Sequence, residues 1–145
     1  SAGGDGELRL FDLRDLENSQ IMFDSKDGAA LTRLCVNPKD QNYIAALSID
    51  KPYFYLIDLR DVSSPVGIIQ SHTNVVNTVQ WSDLDKNCLC TGGDDKKIYM
   101  WDINKINTNK PILEYTHPDF EINNIDWKEG ILVMNCFNET RVIST

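Results

Sequence analysis

An all-β fold of repeated four-stranded units is what this sequence predicts, and three observations carry the prediction. Phe11-Asp12-Leu13-Arg14, Ile57-Asp58-Leu59-Arg60 and Trp101-Asp102-Ile103-Asn104 recur 46 and then 44 residues apart. Val36, Trp81 and Trp127 form a second series at spacings of 45 and 46, and His72 and His117 a third at 45. Between these landmarks lie strand-length apolar or alternating runs bounded by Gly, Asp, Asn and Pro, with no stretch of helical periodicity. A period in the mid-forties with four strand-like segments per unit is the signature of a β-propeller.

Taken in order, Gly3-Gly4-Asp5-Gly6 reads as a turn, and residues 7–13 as a strand with Leu8, Leu10 and Asp12 on one side. Residues 14–18 read as a polar loop and 20–23 as a short edge strand. Strands follow over 31–36, 42–48, 53–59 and 65–70, the last led by Pro65, which suits a sheet edge. The next unit has 75–81, 87–91, 97–103 and 111–115; residues 121–127, 130–136 and 140–143 finish the chain. One propeller domain over 1–145 is thus expected, divided into a partial blade (1–30), two complete blades (31–70 and 75–116) and a second partial blade (121–145). Closing a ring takes about four to eight blades, so the expectation is a piece of a longer propeller. Its open strand edges suggest that two copies pair into a homodimer.

Charge narrows the partners. A net −8, from 22 acidic and 14 basic residues, argues against a direct nucleic-acid or anionic-membrane surface, since phosphates are held by clustered Lys and Arg. No run approaches a membrane span of about 20 apolar residues. Cys35, Cys88, Cys90 and Cys136 each lie in an apolar run, with no C-x-x-C pair and no histidine at zinc spacing. Free thiols of a cytosolic or nuclear protein are the expectation, with no metal and no cofactor.

The stretch Thr91-Gly92-Gly93-Asp94-Asp95-Lys96-Lys97-Ile98-Tyr99-Met100-Trp101-Asp102 resembles the end of a WD repeat. The chain as a whole resembles the C-terminal part of the plant transparent-testa-glabra proteins and their animal relatives, the scaffolds of dual-specificity tyrosine-regulated kinases. The residues that carry this are GGDGELRLFDLRDLE (3–17), LTRLCVNPKDQNYIAAL (31–47), WDI with PILEYT (101–103 and 111–116) and EINNIDW (121–127). The resemblance implies a seven-bladed, non-catalytic scaffold of nucleus and cytoplasm that gathers protein kinases or transcription regulators. The resemblance implies that some relatives also serve as substrate receptors of cullin–RING ubiquitin ligases. It also implies a hydrogen-bonded structural tetrad, matched here by His72, Thr91, Asp95 and Trp101; in the other copies Phe11 and Ile57 replace the Trp, and Lys51 falls at the turn acid.

Several constellations are better read as structure. His72, Thr91 and Asp95 suggest a catalytic triad, but no nucleophile elbow accompanies them and the tetrad also explains Trp101. Gly92-Gly93-Asp94-Asp95 lacks the aromatic of a cyclic-dinucleotide cyclase signature, and Asp83, Asp85 and Asn87 lack the glycine and final Glu of a calcium loop. Asn138-Glu139-Thr140 is a glycosylation sequon with no sign of secretion beside it.

Two sets of residues remain as candidate binding surfaces. Asp12 with Arg14, and Asp58 with Arg60, resemble the Trp-Asp-x-Arg box by which cullin–RING receptors dock an adaptor, although both lack the Trp. An Arg there offers a planar fork of donors. The loops at one face of the blades hold Tyr53, Asn74, Lys96 and Phe120, expected to meet protein partners with the two aromatics as anchors.

Overall fold

The computed structural model describes residues 1–144. Among these residues, thirteen strands form four antiparallel sheets. The first is the hairpin β1 (Glu7–Asp12) and β2 (Asp15–Asp24). The second is β3 (Leu31–Val36), β4 (Tyr43–Ser48), β5 (Phe54–Asp58) and β6 (Gly67–Ile69), in chain order. The third is β7 (Val76–Trp81), β8 (Cys88–Gly93), β9 (Lys97–Asp102) and β10 (Leu113–Thr116). The last is β11 (Ile122–Lys128), β12 (Ile131–Cys136) and β13 (Thr140–Ser144).

Three apolar cores glue successive sheets face to face. Leu8, Met22 and Phe23 of the first sheet meet Ile44, Ala46, Tyr55 and Ile57 of the second. Ala45, Leu47, Phe54 and Leu56 point the other way, onto Val79, Trp81, Leu89 and Trp101. Cys90, Ile98 and Met100 of the third sheet pack on Ile122, Ile125, Trp127 and Met134 of the fourth. Strands β4, β5, β8 and β9 are therefore buried on both faces, and β4 and β5 read as nearly continuous apolar runs. Strands β3, β7 and β11 stand side by side as the inner strands of their sheets. Trp81 reinforces that row by donating its indole N–H to the Cys35 carbonyl at 2.9 Å.

Three expectations need correction. Residues 14–18 are not a polar loop: β2 runs from Asp15, with Leu10 paired to Gln20 and Phe11 to Ser19. Residues 15–21 are all exposed, so no apolar alternation marks them as strand. Leu10 does not share the buried side with Leu8, because a register shift between Leu8 and Arg9 turns the rest of β1 over and leaves Leu10 52% exposed. Finally, a short 3-10 helix spans Ile103–Thr108. The Asp102 carboxylate caps it by accepting from the Asn104 N–H, Ile106 is its one buried side chain, and Asn109 ends it at φ 52. Two 3-10 turns have too few residues to show periodicity.

Candidate functional site

The best-built polar site joins a loop, a strand end and a turn of the third sheet. Trp101 donates its indole N–H to Thr91 Oγ1 at 3.0 Å, and Thr91 Oγ1 lies 2.8 Å from His72 Nε2. His72 Nδ1 lies 3.0 Å from both Asp95 oxygens. One proton arrangement leaves no donor idle: the Thr91 hydroxyl donates to Nε2, and Nδ1–H donates to Asp95. Asp95 also accepts from the Thr73 and Lys97 N–H groups, so it ties two loops to one carboxylate. Trp101 and Thr91 are fully buried, and His72 is nearly so. A hydroxyl with no solvent access cannot attack a substrate, so the group works as a clamp.

Burial alone would raise the Asp95 pKa, but the hydrogen bond and charge of His72 and the two backbone donors outweigh it and hold the carboxyl below its usual value of 3.8. A lowered folded-state pKa adds stability above the unfolded value, and that stability is lost as pH falls through the folded one. Asp95→Asn is therefore expected to be clearly less stable than the parent near neutrality. The gap should hold down to about pH 5 and then narrow as the pH falls through the lowered folded value, as read by urea unfolding at each pH. A gap that stays constant would mean the carboxylate charge is not what matters.

A second histidine–acid pair, unforeseen beyond the 45-residue spacing of His72 and His117, closes the last sheet. His117 is fully buried; its Nδ1 accepts from the Asp119 and Phe120 N–H groups at 3.2 and 2.9 Å, which leaves Nε2–H to donate to Glu139 at 2.6 Å. That bond, joined by Arg141, holds the Glu139 pKa below its usual 4.5. Met134 stands where the third sheet has Thr91, so the clamp keeps only its histidine–acid half.

The two pairs hold the turns at one end of the sheets. Of the residues expected there, Lys96 and Phe120 come together, lining a pocket of about 320 Å³ with Asp119, Glu121, Asn123 and Phe137. Phe137, absent from the sequence expectation, is 81% exposed at the β12–β13 turn; only its place in a turn signals it. Tyr53 is not part of this pocket: it is half-buried, edge-on to Tyr55, with its hydroxyl 3.1 Å from Asp27. Asn74 is exposed and its side chain accepts from the Val75 N–H within its own loop.

At the opposite end, Asp12, Asp58 and Asp102 each accept the N–H two residues on, at 2.9, 3.0 and 3.0 Å. Arg14 and Arg60 fold back onto these same acids as forks, at 2.9 and 2.7 Å and at 2.8 and 2.6 Å. Arg60 also donates to the Tyr43 hydroxyl and covers that ring at 5.3 Å. Both arginine side chains stay exposed, at 90% and 56%. The structure does not join the two forks to each other; they sit on consecutive sheets. Asp83, weighed as a calcium ligand, accepts the Glu129 N–H with both oxygens, and among the described residues no cluster of three His, Cys, Asp or Glu could hold a metal.

Residues 63–102, which include the whole tetrad, match the WD domain, G-beta repeat. The chain is 36% identical over 132 residues to the DDB1- and CUL4-associated factor 7 homolog of Dictyostelium discoideum, covering 90% of this chain and 40% of that protein. It is 34% identical over 121 residues to the WD repeat-containing protein YPL247C of Saccharomyces cerevisiae (72% of this chain, 23% of that one). It is also 29% identical to the Histone acetyltransferase type B subunit 2 of Candida glabrata (73% and 24%). The chain thus spans less than half the length of these relatives. Its tetrad lies within a WD40 repeat, and curated WD-repeat proteins are among its homologues.

Proposed function

We propose that the chain is part of a seven-bladed propeller, working in cytoplasm and nucleus as a non-catalytic scaffold that assembles protein kinases or transcription regulators. The turn face carries the reading: Lys96, Phe120 and the exposed Phe137 border one pocket on turns locked by His72–Asp95 and His117–Glu139. Rigid turns that display an aromatic ring lose little entropy on binding, and such a ring is a typical anchor. Four unpaired thiols suit a reducing compartment.

The test is binding of a purified dual-specificity tyrosine-regulated kinase, the partner class implied by the sequence resemblance. Phe137→Ser, at a position with no core role, is expected to weaken that complex about 30-fold, the equivalent of about 2 kcal/mol. Unchanged affinity would remove the turn face as the site.

A second reading, a substrate receptor of a cullin–RING ligase, is favoured by the DDB1- and CUL4-associated factor 7 homolog among the relatives and by the exposed forks of Arg14 and Arg60. Arg14→Ala with Arg60→Ala is expected to abolish capture of a ligase adaptor and to leave the kinase complex intact. Loss of neither or both would argue against it. Homodimerisation of this chain is also proposed, since among the described residues the last sheet has three strands where the middle sheets have four. Light scattering should then give twice the chain mass.

A further inference from the structure

Arg33, Thr78 and Asn124 occupy the same position on the three inner strands, 45 and 46 residues apart. Each comes directly after a register shift: Leu31/Arg33 in β3, Val76/Thr78 in β7 and Ile122/Asn124 in β11. A β-bulge re-aims the side chain that follows it. Here three bulges at one level turn three polar side chains toward one another. Arg33 Nη1 donates to Thr78 Oγ1 at 3.0 Å and to Asn124 Oδ1 at 2.7 Å. Thr78 Oγ1 in turn donates to Asn124 Oδ1 at 3.2 Å and accepts the Ile125 N–H at 3.3 Å. One guanidinium thus bridges three sheets.

Its electrostatics are unlike those of the other arginines. Arg9, Arg14, Arg60 and Arg141 each hold a carboxylate. Arg33 holds none among the described residues, although the chain carries 22 acidic side chains. Only neutral oxygens position it, through one nitrogen, and its Nε and Nη2 have no partner among the described residues. The side chain is exposed, while Thr78 beneath it is fully buried. A charged fork held in place by neutral acceptors, with its remaining edge open, is pre-organised for a planar two-oxygen anion. A dianionic phosphate would call for more than the single cation of this bonded group; a carboxylate balances it one for one.

We propose that Arg33, positioned by Thr78 and Asn124, is a binding site for a carboxylate side chain, Asp or Glu, of a protein partner laid across the inner strands. The inference rests on the interaction reading above but uses a different surface from the turn pocket. Its test is a titration of the isotopically labelled chain with a short Gly/Ser peptide bearing a central Glu, following the Arg33 Nε–H and Asn124 amide resonances. The same peptide with Gln, and with phosphoserine, serves as comparison. The Glu peptide is expected to shift both resonances saturably, and the Gln peptide is not. Arg33→Lys, which keeps the charge but not the fork, should weaken binding about tenfold, and Arg33→Gln should abolish it. Asn124→Asp should also block it, by supplying the fork with an internal carboxylate. Equal shifts with Gln, no saturable shift, or preference for phosphoserine over Glu would each overturn the assignment. Phe137→Ser should leave the titration unchanged, so failure here and failure of the turn face are separate results.

Discussion

Trp101→Ala is expected to cost about 3–5 kcal/mol of folding stability, the usual range for emptying a large aromatic site in a core. Two losses combine. The ring lies fully buried between the two four-stranded sheets, 5.7 Å from the centroids of both Phe54 and Tyr99, so its removal opens a cavity at the one seam that joins them. Its indole also donates to Thr91, the hydroxyl on which His72 rests. Single domains have only about 5–15 kcal/mol in all, so the variant should unfold at far lower urea or not fold at all. Thr91→Val isolates the polar share: shape is nearly kept, but the Trp101 N–H and His72 Nε2 lose their partner at a cost of about 1–3 kcal/mol. Urea unfolding followed by circular dichroism reads both. If Thr91→Val proved as severe as Trp101→Ala, the polar chain rather than packing would hold the sheets together. If Trp101→Ala cost under about 1 kcal/mol, the seam would depend on neither.

The middle of the chain was the most legible from sequence. Tetrad residues such as His72 and Trp101 sit at landmarks of the repeat, and strands such as β4 and β5, buried on both faces, show as apolar runs. The ends were less so. Strand β2 carries Asp15, Glu17, Asn18, Ser19 and Gln20 and owes its form to pairing with β1, which a polar run does not advertise. The site residues split in the same way. Lys96 and Phe120 are legible because they sit in turns of the repeat, whereas Phe137 precedes the Asn138-Glu139-Thr140 sequon in a turn with no repeat landmark. Arg33, Thr78 and Asn124 were legible only as three unlike residues at repeat spacing. Nothing in Arg, Thr and Asn side by side in an alignment says that bulges turn them to one point; that is a fact of register, which pattern alone does not show.

Gly93→Ala is expected to be the most damaging of the small substitutions, at about 2–3 kcal/mol. A methyl group there would overlap the Val75 carbonyl oxygen and stand 3.1 Å from His72 Nδ1. The first contact is with backbone, which cannot swing aside as a side chain does. That backbone is itself tied, because the Val75 carbonyl accepts the Asp94 N–H at 2.9 Å. Relief must therefore move the 72–75 loop, and with it the imidazole that bonds Asp95. Gly92→Ala meets instead Ile122 Cγ2 at 2.7 Å and Ile125 Cδ1 at 2.9 Å, side-chain atoms of the neighbouring sheet, so its damage should fall on the seam with β11 and spare the tetrad. The two glycines are thus separable by a double-mutant cycle with Asp95→Asn. Gly93→Ala should couple strongly, since both changes break the same His72–Asp95 bond and the second costs little after the first; Gly92→Ala should add independently. Additivity at both positions would mean that the clamp tolerates a displaced loop. Coupling confined to Gly93 would show that the missing side chain at that position is a requirement of the histidine, and that the glycine pair serves two different contacts one residue apart.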